Sequence, residues 1–101
     1  MKNSSIREML VAIAAEFGTD GVVEFSRPLV VKKTTRHAPE AVSFIGFGVL
    51  EDEFFGSLLF VTCLTENGYT FDLPFDLFSF TDRLRVLRRA VRFTEKIVRD
   101  K

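Results

Sequence analysis

The sequence predicts an α+β domain of order α-β-β-β-β-α: a four-stranded antiparallel meander with two helices packed on it, residues 1–101 forming a single domain. Three observations lead there. Apolar residues recur at helical spacing near both ends of the chain and at a period of two between them. The alternating stretches are joined by short connections, which favour hairpins over crossovers. The chain has 101 residues, 47% hydrophobic and 28% charged, a length and composition suited to one core without disulfide staples.

The elements follow in order. Ser5 and Glu8 have the spacing of a capping box, and Ile6, Met9, Leu10, Ile13 and Phe17 form one apolar stripe, so a helix is expected from Ser5 to Phe17. Gly18 stands where a left-handed C-terminal cap is expected. From Gly21 the period becomes two: Val23, Phe25, Leu29 and Val31 alternate with polar residues including Glu24 and Lys32. Pro28 has no amide hydrogen for a ladder, which marks this strand as an edge or a bulged strand. A polar loop, TTRHAPE, comes next.

The stretch AVSFIGFGVL (41–50) is apolar on both faces, and Gly46 and Gly48 within it imply bending or close backbone approach. EDEF makes a turn, GSLLFVTCLT (56–65) is a second strand apolar on both faces, and Asn67-Gly68 is a strong hairpin signal. YTFDL returns as a short strand that Pro74 ends. In the last helix Leu84, Leu87, Val91, Thr94 and Val98 share one face, flanked by Val86, Ala90, Phe93 and Ile97. Its apolar arc covers about half the circumference, as a helix lying deep on a sheet requires.

The stretch FDLPFDLFSFTD (71–82) holds four of the twelve phenylalanines. It reads as the corner where strand becomes helix. Phe71 and Leu73 finish the inward face of the strand, while Phe75, Leu77, Phe78 and Phe80 are expected to plug the space beneath the incoming helix. Ser79 and Asp82 have the spacing of an N-cap and its third residue.

Chemistry is scarce. The single cysteine, Cys63, excludes an intramolecular disulfide and a cysteine-based zinc site, and its apolar setting predicts an inert buried thiol. A free cysteine without staples fits a reducing compartment, so the expected location is cytoplasmic. No apolar run approaches the roughly 20 residues of a membrane span, and no membrane partner is expected. The only histidine, His37, sits in the polar loop beside Arg36 with no evident partner. GFG (46–48) lies inside an apolar strand rather than between strand and helix, which argues against a phosphate-binding loop. No catalytic, cofactor-binding or metal-binding residues are expected, and the protein is read as a non-enzyme.

Charge is the informative feature. The formal net charge is zero, yet residues 51–81 carry six acids and no base, while residues 82–101 carry eight bases against three acids. On a helical wheel Arg85, Arg88, Arg89, Arg92, Lys96 and Arg99 fall within a stripe of about 100°, opposite the apolar arc. That stripe is solvated, or pairs with acids such as those of residues 51–53, or binds the phosphates of a nucleic acid.

Two strands apolar on both faces need cover on both, and two helices leave a face over. The leading expectation is therefore a small protein-interaction module, homodimeric through its sheet, with Phe44, Ile45, Phe47 and Val49 as the candidate interface. A protein partner other than a second copy is the neighbouring expectation. The alternative is a nucleic-acid-binding accessory protein using the arginine stripe, and the third reading is a binder of an apolar small molecule.

Overall fold

The structure, a computed structural model, describes residues 3–31 and 41–100. His37 and the rest of the polar loop expected there lie outside the described residues. The chain runs α1 (Asn3–Phe17), β1 (Val22–Val30), β2 (Ala41–Asp52), β3 (Gly56–Thr65), β4 (Thr70–Pro74), a 3-10 turn (Phe75–Leu77) and α2 (Phe80–Arg99). The strands form one antiparallel sheet in chain order, β1-β2-β3-β4. The α+β class and the element order are those the periodicities predict.

Three local details differ from the sequence reading. Helix α1 already includes Asn3, so Ser5 lies in its first turn and not at an N-cap. Gly18 is not left-handed; a Cβ there would sit 2.5 Å from the Ala14 carbonyl oxygen and 2.9 Å from that of Val22, so close approach of the chain between α1 and β1 is what requires glycine. The β3–β4 connection is a three-residue loop. The Thr65 carbonyl accepts from Gly68 at 3.1 Å, the Thr65 amide donates to the Tyr69 carbonyl at 2.8 Å, and only Gly68 has positive φ. A two-residue type I′ turn would need both Asn67 and Gly68 there.

Both helices lie on one face of the sheet. Ile6, Leu10 and Ala14 of α1 and Val86, Leu87 and Ala90 of α2 join one buried cluster with Val23, Phe25, Phe44, Phe47, Leu59, Val61 and Cys63. The corner after β4 divides in a way the sequence reading missed. Phe75 and Phe78 are buried, and Phe78 meets Phe44 edge-on at 5.2 Å between ring centroids. Leu77 and Phe80, expected in the same plug, are 38% and 45% exposed. The 3-10 turn explains this, because residues three apart eclipse each other, which sends 75 and 78 the same way and 77 outward. Ser79 is the N-cap of α2, its side chain accepting from the Asp82 amide at 3.2 Å.

Strand β1 carries the irregularity that Pro28 signals. Glu24 pairs with Gly46 and the next registered pair is Leu29 with Phe44, so β1 spends extra residues there. A second irregularity falls in β2 between Phe44 and Gly46. That bulge decides which phenylalanines are inside.

Candidate interaction surfaces

Strict alternation along β2 would send Phe44 and Phe47 to opposite faces. The extra residue at Ile45 resets the alternation, so Phe44, Phe47 and Val49 all face the helices. Phe44 and Phe47 are fully buried and Val49 is half-buried against the core, which removes these three from the interface expected of them. Ile45 alone stays outside the core cluster, half-buried.

Among the described residues no helix lies on the other face of the sheet. That face presents Gly46, Gly48 and Leu50 from β2, their partners Thr62, Phe60 and Leu58 from β3, and Asp72 and Pro74 from β4. Leu50 is 59% exposed and Leu58 39%. The Phe60 ring lies across Gly48, where its tip would be 2.5 Å from an added Cβ. Thr62 donates to the Asp72 carboxylate at 2.7 Å, and exposed Glu24 of β1, opposite Gly46, adds a second acid to this face. Where β4 ends, a shallow depression of about 450 Å³ runs round the sheet edge, lined by Leu50, Leu58, Phe60 and Pro74 and also by Arg7, Leu73, Asp72 and Asp76.

Beyond the Gly48–Phe60 pair, β2 and β3 outrun both neighbours, since β1 begins at Val22 opposite Gly48 and β4 ends at Pro74 opposite Phe60. The result is a two-stranded arm. Near its tip the arm is tied to α1 by Arg7, whose guanidinium donates to the carbonyl of Ser57, the partner of Glu51. At its tip the Asp52 carboxylate accepts from the Phe54 and Phe55 amides at 2.8 and 2.9 Å, fixing the turn. Phe54 and Phe55 are 86% and 79% exposed. The sequence held a signal for this: a turn bracketed by Asp52 and Gly56 leaves the two aromatics between them with no core position to occupy.

The arginine stripe of α2 splits in two. Arg85 donates to the Val30 carbonyl at 2.8 Å and pairs with Asp82 at 3.7 Å. Arg89 donates to the Arg27 carbonyl at 2.7 Å and lies over the Phe25 ring at 5.8 Å. These two fasten α2 to β1 and cap carbonyls on the free edge of the sheet, so their charge is largely engaged. Arg88, Arg92, Lys96 and Arg99 are exposed and have no side-chain partner among the described residues. Their spacing of four, four and three places them in a line along the helix. Between α2 and β1 lies a groove of about 620 Å³ with Phe25, Phe93 and Ile97 as its apolar part; Arg27, Arg89, Arg92, Lys96 and Arg99 line it together with Glu24, Glu95 and Asp100.

Cys63 is fully buried in the core. Burial, with a smaller contribution from the Asp72 charge, pushes its thiol up to about 12. The folded state thus holds a proton that the unfolded chain loses above about pH 9. Stability from this group is constant below that pH and falls by up to about 1.4 kcal/mol per pH unit until about pH 12. A thiol-directed reagent is expected to modify Cys63 only after denaturant is added, and the alkaline slope is expected to shrink in Cys63→Ala. Rapid labelling of the native protein would contradict the burial of β3.

Among the described residues no group of three His, Cys, Asp or Glu side chains is placed to hold a metal ion, and no helix is long and apolar enough to cross a membrane. No protein-family model, curated protein or solved structure matches the chain. Its surfaces therefore carry the functional reading.

Proposed function

We propose that the chain is a non-catalytic protein-interaction module that forms a homodimer through the outer face of its sheet. The observation that carries this is the bare apolar surface of Leu50, Leu58 and Phe60, opposite the face that both helices cover. A contiguous apolar face rimmed by polar residues is the usual mark of an interface, and a two-layer fold leaves one without further elements to cover it. The unreactive lone cysteine accords with a cytoplasmic setting.

The residues to change are those the structure exposes. The wild-type protein is expected to self-associate at micromolar concentration by light scattering, and Leu50→Glu with Leu58→Glu is expected to remove the sheet-face contact and lower the mass while the chain stays folded. A wild-type protein that stays monomeric at high concentration and binds no apolar dye would rule the proposal out.

A second reading is supported by the line of Arg88, Arg92, Lys96 and Arg99, a cationic ridge suited to phosphate contacts. Against it stand the zero net charge of the chain and the engagement of Arg85 and Arg89 with β1. The ridge also lacks a neighbouring element that would read bases.

A further inference from the structure

We propose that the Phe54–Phe55 tip of the arm docks into the β1–α2 groove of a second copy of the chain. The tip is built to be inserted. Two large aromatic side chains stand almost entirely in solvent, on a turn held by two hydrogen bonds to Asp52 and on an arm anchored to α1. A turn fixed in this way has little backbone entropy left to lose on binding. Rings exposed to this degree do nothing for the fold of their own chain.

The groove has the complementary chemistry. Phe25, Phe93 and Ile97 give it an apolar part, its lining carries five bases against the acids Glu24, Glu95 and Asp100, and its volume of about 620 Å³ leaves room for aromatic side chains. Arg92, Lys96 and Arg99 stand on its rim without side-chain partners among the described residues. The tip brings Glu51, Asp52 and Glu53 beside its two rings. Opposite charges around an apolar centre steer an encounter and fix its register. Guanidinium groups on the rim also suit the faces of incoming rings.

The occupant is a second copy because the two halves of this match lie on one chain. The net charge is zero, with the acidic surplus in residues 51–81 and the basic surplus in residues 82–101. Each copy therefore carries both the acidic tip and the basic groove that the contact needs. The contact joins two different patches, so it closes reciprocally in a two-fold pair or propagates from copy to copy. It does not use the bare sheet face, and it stands or falls separately from dimerisation through that face.

The test uses two variants at exposed positions: a tip variant, Phe54→Ser with Phe55→Ser, and a groove variant, Arg92→Glu with Arg99→Glu. Self-association is measured by sedimentation velocity in the wild-type chain and in the Leu50→Glu/Leu58→Glu background, with circular dichroism to confirm an unchanged fold. Each variant alone is expected to associate at least tenfold more weakly than its parent. An equimolar mixture of the two is expected to regain association as a 1:1 pair, because the intact tip of one meets the intact groove of the other. Unweakened association in either variant overturns the proposal, as does weakening in both without recovery in the mixture. Retention on duplex DNA at physiological salt, abolished by the groove variant, also overturns it and assigns the groove to nucleic acid. If the tip and groove variants behave as expected while Leu50→Glu/Leu58→Glu changes nothing, the sheet-face proposal fails and this one holds.

Discussion

Replacing Phe44 by alanine is expected to destabilise the protein by about 3–5 kcal/mol, the range for emptying a fully buried phenylalanine site. Phe44 has no exposed surface, meets Phe78 edge-on and sits opposite Cys63 and Leu29 at the centre of the sheet. The hole left behind is framed by strands and an N-capped helix, which limits collapse around it. A domain of this size has a total stability of roughly 5–15 kcal/mol, so this one change removes about a fifth of it or more. At about 4–8 °C per kcal/mol the melting temperature falls by well over 10 °C. Chemical denaturation should show a lower midpoint with an unchanged slope. The same change at Ile45, outside the core cluster, is expected to cost far less. Equal losses at the two positions would show that the β2 bulge does not divide inside from outside as described.

Gly46→Ala is expected to destabilise by about 1–3 kcal/mol, although alanine in a strand ordinarily gains about 0.5–1 kcal/mol over glycine. The new Cβ would lie 2.4 Å from the Val23 carbonyl oxygen and 3.3 Å from the Glu24 Cα, both backbone atoms of the paired strand. Backbone cannot swing aside, so β1 must move away from β2 and carry the buried Val23 with it. Gly48→Ala provides the internal control. There the obstruction is the Phe60 ring, which can rotate toward solvent, and the cost is expected to be smaller. Denaturant melts of the two variants check the order, and a more stable Gly46→Ala protein would contradict the close approach of β1 and β2.

How much of this was legible in the sequence depended on whether the signal was local. The helices, the strands and their order follow from periodicity, and Pro28 and Gly46 announce a bulge and a close approach through properties of single residues. The faces of β2 were not legible, because a one-residue bulge at Ile45 leaves no mark on composition yet reverses which phenylalanines are buried. Apolarity alone does not reveal the 3-10 turn that sends Leu77 outward, nor that Phe80 opens α2 directly after its N-cap. The arginine stripe was visible as a pattern, but its division was not. Arg85 and Arg89 reach carbonyls more than fifty residues away, which no helical wheel can show. The tip aromatics were overlooked for the opposite reason: phenylalanine is so usually interior that its presence in a turn was read as punctuation.

The packing of α1 against α2 has a consequence for how the chain is made. The buried stripe of α1, Ile6, Leu10 and Ala14, shares its core with Val86, Leu87 and Ala90, residues that belong to the last element of the sequence. A ribosome adding about 5–20 residues per second delivers α1 first and α2 last, so the first helix waits several seconds for its partner. During that interval the sheet can close hairpin by hairpin, since its strands pair in chain order. Between the synthesis of α1 and that of α2 the nascent chain is thus a growing meander beside an amphipathic helix whose apolar side is only partly covered. Completion of the core waits for the emergence of the twenty-residue α2 rather than for the folding of the sheet.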